Sequence, residues 1–204
     1  RPLFTTSFLL DDVLADNDFF AATQIVLTSA SSKTAFCLAF LLQQRADRAF
    51  KIIGLTSERN VDFVKNLNCY DEVITYADHA TISVQPTVVV DFAGNKPLLL
   101  DLQKQLGTAL KYLSMVGLVH HDQREAEGKV KGTFFFAPTY LQERLKEWGR
   151  AGFQQRSGKA WQLFTQKGDW LRMNEVAGLA NVEQVYHRVR NGTADAKVGQ
   201  IIVL

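Results

Sequence analysis

Ile25–Leu42, IVLTSASSKTAFCLAFLL, carries an apolar strand through a small-residue turn directly into an apolar helix. Gln24–Thr28 is a β-branched run of strand length, whereas Phe36, Leu38, Ala39, Leu41 and Leu42 recur at helical spacing. The first N–H groups of such a helix lack intrahelical partners and face the space above the strand end, which suits a phosphate. Dinucleotide-binding units build this turn as G-x-G-x-x-G, because glycine permits the bend and lets the backbone approach a pyrophosphate. Here Ser29, Ser31 and Ser32 replace those glycines, and Ala35 stands where the helix must pack closely on the strand. The serine hydroxyls, Thr34 and the Lys33 ammonium offer phosphate contacts instead. The bland alternative is a serine-rich helix cap with Lys33 in solvent. A P-loop is a poor fit. Ser32-Lys33-Thr34 matches the end of G-x-x-x-x-G-K-[ST], and Val88–Asp91 a metal-holding strand, but Leu27 and Ser32 occupy the glycine positions and Leu27 is inside the strand.

Outward from this unit, strands and helices alternate. The pattern predicts a leading helix over 4–14, a helix over 33–45, a strand over 50–55, a helix over 58–67 and a strand over 72–75. A fourth strand follows at 87–91, apolar throughout as expected for one covered on both faces. Asn95 is placed to cap the next helix, with Pro97 in its first turn and Gly107 at its end. Residues 110–116 make a fifth strand and 120–131 a polar connection. Thr133–Phe136 reads as a strand, 139–148 and 181–190 as helices (the latter ended by Gly192), and 200–204 as a closing strand. Residues 153–172 give no clear pattern. The alternation predicts an α/β, Rossmann-like, doubly wound and mainly parallel sheet flanked by helices, a single domain over 1–204 with 1–23 as a leading helix and connection.

Composition excludes several classes. The chain has 204 residues, with 23 Lys plus Arg against 21 Asp plus Glu, so a strongly electrostatic partner such as duplex DNA is not implied. A chain of this length buries about 70% of the surface it exposes when unfolded, and needs neither disulfide nor metal to fold. Cys37 and Cys69 lie among apolar residues and read as small buried hydrophobes. His79, His120, His121 and His187 form no i, i+4 pair, so no histidine metal site is expected. No apolar run approaches the ~20 residues of a membrane span. Neither nucleic acid nor membrane is an expected partner, and a cytoplasmic location is the expectation.

Further motifs carry a family resemblance. Ile52–Tyr76, IIGLTSERNVDFVKNLNCYDEVITY, is similar to the second-to-third strand region of the medium-chain dehydrogenase/reductase superfamily. Asp71-Glu72-Val73-Ile74 matches its Asp-Glu-Val-Ile segment, whereas Asn68-Cys69-Tyr70 departs from the preceding small-Gly-Ala. Val88–Asn95 (VVVDFAGN) resembles the fourth strand and the loop lining the nicotinamide. Met115-Val116-Gly117 resembles the end of the fifth strand, and Gly199–Leu204 the closing Gly-Lys-Ile-Val-Leu. The likeness keeps order and spacing over about 20–204 and is strongest to a divergent, quinone-reductase-like branch of this alcohol-dehydrogenase-like superfamily.

The resemblance implies an oxidoreductase of carbonyls or conjugated enones, with the nucleotide-binding domain represented here. The superfamily's GroES-like catalytic domain, where zinc ligands reside, has no counterpart in residues 1–24, so this chain alone is expected to be catalytically incomplete and without zinc. No catalytic acid stands out: Tyr140, four residues before Arg144, reads more simply as a helix-packing residue. Ser29, Ser31, Ser32, Lys33 and Thr34 would hold the pyrophosphate, and Ala93, Gly94, Val116 and Gly117 would flank the nicotinamide. After the second strand the chain places Thr56, Ser57 and Arg59 where an acid would hold the ribose of NAD, which favours the 2′-phosphate of NADP. Glu58 is the counter-argument, and NAD the alternative. Loss of every turn glycine supports a second reading, a module that kept the fold and lost the cofactor. Phe134–Phe136 put apolar side chains on both faces of a strand. In the superfamily such a strand pairs across a two-fold axis, which implies a homodimer through 132–136. A strand covered by its own chain's helices is the alternative.

Overall fold

The computed structural model describes residues 1–46, 48–116, 129–168, 170–191 and 193–203. Gly117, His120, His121 and Gly192 therefore lie outside the described residues. The chain divides into two compact units, Arg1–Phe164 and Thr165–Leu204.

The first unit is built on a six-stranded, parallel sheet. Its strands are β1 (Gln24–Leu27), β2 (Lys51–Thr56), β3 (Glu72–Thr75), β4 (Thr87–Asp91), β5 (Leu110–Met115) and β6 (Thr133–Phe134). They lie in the order β3-β2-β1-β4-β5-β6, so the winding reverses between β1 and β4. This is the α/β, Rossmann-like arrangement that the alternation predicts. The register is direct: Ile25 faces Ile52 on one side and Val88 on the other. Every residue of β1 and of β4 is buried, as two-sided cover requires.

The helices follow from local chemistry. α1 (Pro2–Asp16) has proline in its first turn, and α2 (Lys33–Gln43) is capped by Ser32, whose Oγ accepts the Ala35 amide at 3.3 Å. In α4 (Lys96–Leu106) the Asn95 cap accepts the Leu98 amide at 3.2 Å, and Gly107 closes the helix at φ +50°. Leu98, Leu99, Leu102 and Leu106 of α4 pack with Val26, Ile53, Leu55, Val89 and Leu113 of the sheet. The alternate residues Ile25, Leu27, Ile52, Val88 and Val90 point to the opposite face, and all are buried.

Several expectations change. The helix expected over 58–67 splits into a 3₁₀ turn, Glu58–Asn60, and α3, Val61–Asn66. The strand expected over 133–136 pairs only at Thr133 and Phe134, because Ala137 and Pro138 open the next helix. Phe135 is buried, while Phe134 and Phe136 are 44% and 54% exposed at the sheet edge. The helix expected over 139–148 and the unclear stretch after it form one helical run, α5 (Ala137–Gln166), interrupted at Gly149. Its aromatic residues anchor it: Trp161 meets Phe4 at 5.1 Å, Phe153 meets Phe8 at 5.9 Å and Phe164 meets Phe40 at 5.3 Å. Arg144 of α5 bonds Asp12 and Asp16 of α1, and Tyr140 stacks on Phe135 at 4.5 Å. Tyr140 is thus a packing residue.

The second unit holds β7 (Arg172–Ala177), α6 (Leu179–Arg190) and β8 (Val198–Val203). β8 is the expected closing strand, and it pairs in parallel with β7, a strand the sequence does not announce.

Candidate functional site

Where the winding of an open α/β sheet reverses, the chain leaves neighbouring strands in opposite directions and opens a crevice above their carboxyl ends. Here that crevice lies above β1 and β4. Thr28, the first residue after β1, donates to Asp91 Oδ1 at 2.5 Å and accepts the Phe92 and Ala93 amides at 2.9 and 3.2 Å. Asp91 also takes the Ala93 amide at 3.2 Å and the Gly94 amide at 2.9 Å. Burial pushes its carboxyl above the ordinary value, and these hydrogen bonds act in the opposite direction. Gly94 has a φ of +67°, which the tight loop needs. The Val116 amide closes the same loop from β5, donating to the Asp91 carbonyl at 2.9 Å. Ala93, Gly94 and Val116 therefore do flank the crevice end of β4, but their amides are spent on Thr28 and Asp91. Only the outward side of this loop is left to meet a ligand.

The turn between β1 and α2 is held from several sides. Ser29 has a φ of +50°, the left-handed region that glycine normally supplies. Its amide donates to the Tyr76 hydroxyl at 2.9 Å. The Ala30 amide goes to the Leu55 carbonyl at 2.9 Å, and the Tyr70 hydroxyl donates to the Ala30 carbonyl at 2.9 Å. Burial raises both tyrosines above the ordinary phenol value, so both are neutral hydrogen-bonding groups. Ser32 serves as the helix cap. Lys33 and Thr34 are half-buried in the first turn of α2, where the Thr34 carbonyl takes the Ser7 hydroxyl at 2.7 Å.

The loop after β2 joins this turn through one side chain. Asn60 Nδ2 donates to Ser31 Oγ and to Ser57 Oγ, both at 3.1 Å. Thr56 Oγ1, at the head of β2, is buried and has no hydrogen-bond partner among the described residues. Arg59 is exposed on the 3₁₀ turn. The structure thus brings Ser31 and Ser57 to one rim of the crevice, while Thr56 is buried at the end of β2. Ser29 and Ser32 are tied into the turn itself.

Sequence reasoning missed Thr28, Tyr70, Tyr76, Asp91 and Asn60 as site residues. Thr28 and Asp91 carried a signal, a polar residue at the carboxyl end of each of two adjacent apolar strands. Asn60 and Tyr76 carried none, because their partners are 29 and 47 residues away.

Two features fit a dinucleotide: the orphaned Thr56 hydroxyl, and the Ser31 and Ser57 hydroxyls of two loops at one rim of the crevice. One resists, the Tyr76 hydroxyl on the Ser29 amide. Cys37 and Cys69 are buried, and burial pushes both thiols up to about 12, so neither is a nucleophile. Among the described residues no group of three or more His, Cys, Asp or Glu is gathered as a metal site. No helix among them is long and apolar enough to cross a membrane.

Fold and crevice together define an α/β chain with the winding of dinucleotide-binding domains. Residues 1–195 match the model of a family described as protein of unknown function (DUF2855), and the chain belongs to that family. Among curated proteins none matches it. Solved structures share its fold. CurA from Vibrio vulnificus, in complex with NADPH, matches with a TM-score of 0.65 at 16% identity, over 99% of this chain and 62% of that one. The quinone oxidoreductase from Coxiella burnetii matches with a TM-score of 0.56 at 13% identity, over 96% of this chain and 57% of its own. The protein yhfP from Bacillus subtilis, with NAD bound, matches with a TM-score of 0.55 at 18% identity, over 98% and 60%. The chain spans about three fifths of the length of these structures.

Proposed function

We propose that the chain is the nucleotide-binding domain of an NADP-linked oxidoreductase of the medium-chain dehydrogenase/reductase type, acting on a carbonyl or conjugated enone. The observation that carries this reading is the crevice rim at the reversal of the sheet. There the half-buried Ser31 and Ser57 hydroxyls, held by Asn60, stand beside the first turn of α2 and the exposed Arg59. A bound nicotinamide coenzyme supplies the hydride, and the chain's own residues hold it. The α2 first turn, with Lys33 and Thr34, favours a diphosphate through its amides and its positive end. Ser57 and Arg59, after β2, offer a hydroxyl and a permanent positive charge to a 2′-phosphate, and no acid follows β2 directly to hold a ribose. The neighbours' chains are longer by about the length of another domain, which supports a catalytic part carried by residues other than these. Zinc is no part of this reading.

One observation favours a second reading, a module that keeps the fold without a coenzyme. The Tyr76 hydroxyl already takes the Ser29 amide, and side chains stand where glycines would admit a pyrophosphate. Titration of the chain with NADPH and NADH, followed by calorimetry and by melting shift, separates the two. A dissociation constant below ~100 μM for NADPH, with melting raised by mass action, supports the first reading. No heat and no shift at millimolar coenzyme would leave only the second.

A further inference from the structure

The Asn60 carboxamide has two hydrogens on Nδ2, and it spends them on the hydroxyls of two serines in different loops, Ser31 after β1 and Ser57 after β2. A hydroxyl oxygen that accepts such a bond keeps its own proton to donate. Among the described residues neither Ser31 Oγ nor Ser57 Oγ donates to any group, and both side chains are half-buried at the rim of the crevice. The polarity of the cluster is therefore one-way. The amide pushes both hydroxyls into the donor role, and their protons are left for a group that only accepts. Phosphate oxygens are acceptors of that kind, and bonds to them are strengthened by the charge.

We propose that Asn60 is a positioning residue that sets Ser31 and Ser57 as paired donors to the phosphate oxygens of a dinucleotide lying across the two loops. The inference rests on the coenzyme reading of the crevice and adds to it a residue that is neither in the turn after β1 nor among the cofactor-selecting Thr56, Ser57 and Arg59. Asn60 acts through the serines and does not itself need to touch the ligand. Its carboxamide also splints the two loops together, so a purely structural role predicts a loss of stability without selectivity for phosphate. The two roles therefore separate in binding.

The test uses the whole chain and NADPH as probe, by calorimetry, with thermal melting as the control for folding. Asn60→Asp keeps the size but puts a carboxylate oxygen where the amino group stood. Both hydroxyls then turn their protons inward, so NADPH binding weakens roughly tenfold or more. Ser31→Ala with Ser57→Ala weakens NADPH to a similar degree, and Asn60→Ala added to that pair brings no further loss, because coupled residues are non-additive. Asn60→Asp that binds NADPH as the unaltered chain does, or an Asn60→Ala loss that persists in full without the serines, overturns the proposal. Should Asn60→Asp not fold, the serine pair decides alone: unchanged NADPH binding in it overturns the proposal too. An unaltered chain that binds no NADPH overturns the coenzyme reading itself, and the role of Asn60 falls with it. A chain that binds NADPH while the variants stay unaffected overturns the role of Asn60 only.

Discussion

The Tyr76 hydroxyl accepts the amide hydrogen of Ser29 across 2.9 Å, tying the residue after β3 to the left-handed position in the turn after β1. This bond satisfies an amide that would otherwise face the crevice. It also places a phenol oxygen where a ligand's phosphate oxygen would compete. Tyr76→Phe removes the acceptor and leaves the ring. The expected outcome has two opposite signs. The free chain loses about 1 kcal/mol of stability, read from a urea transition. NADPH binding tightens severalfold, because Ser29 is released to the ligand. A loss in both measurements would place Tyr76 among the ligand's own partners and not its competitors.

A Cβ built on Gly54 would lie 2.9 Å from Tyr70 Cδ1 and 3.0 Å from Ala30 Cβ, closer than packed atoms approach. The glycine in the middle of β2 thus leaves the space the Tyr70 ring occupies, from which its hydroxyl reaches the Ala30 carbonyl. Gly54→Ala should destabilise the chain by about 1–3 kcal/mol through overpacking. The ring must move, so the Ala30 bond weakens with it. The check is a chemical denaturation curve alongside the spectrum of Tyr70, and an unchanged midpoint would show that the ring has room to shift.

The sheet was readable because β1, β2 and β4 are short apolar runs bounded by small or polar residues, and two-sided burial leaves little else such runs can be. The caps Ser32 and Asn95 were readable for the same local reason: their partners are three residues away. Legibility failed where a distant contact decides. α5 carries Gly149, Gly152 and Gly158, which read as breaks, yet Phe153, Trp161 and Phe164 hold it by edge-to-face contacts with residues of α1 and α2. β7 reads RMNEVA, with only Val176 buried, so neither the alternating nor the apolar pattern of a strand is present. In the site, the serines of the turn were visible as residue types. What each one does was not, since Tyr76 and Asn60 reach them from other strands' loops.

Asp71 anchors the start of β3 to β2. It pairs with Arg48 through both carboxylate oxygens, one of them 3.1 Å from Nη2, and accepts the Ile52 amide at 2.7 Å. Partial burial pushes its carboxyl up, but the Arg48 and Ile52 bonds outweigh this and hold it below the usual range. A depressed acid contributes stability that is present above the unfolded value near 3.8 and is lost as pH falls through the lower, folded value. Asp71→Asn should therefore lower stability by roughly 1 kcal/mol at pH 7, a modest figure for a partly exposed pair. The gap to the unaltered chain should narrow as pH falls into that window. Urea midpoints at pH 7 and pH 3 measure it, and a gap independent of pH would assign the loss to packing.

Arg59 is exposed two residues after Ser57, and no acid follows β2 directly to claim a ribose. Its guanidinium is permanently charged and offers a planar fork that matches a phosphate monoester. In the proposed site, Arg59→Ala should weaken NADPH about tenfold, the scale of one lost charge-assisted pair, while NADH, which lacks the 2′-phosphate, changes little. The difference should shrink as salt is raised from low to physiological strength, because an exposed charge is screened within about 8–10 Å. Calorimetric titration with both coenzymes at two salt concentrations reads it. Glu58, next in the chain, opposes the phosphate and would favour a ribose, so Glu58→Gln should move the preference further toward NADPH. Equal losses for the two coenzymes on removing Arg59 would mean that the arginine supports the loop and does not select the nucleotide.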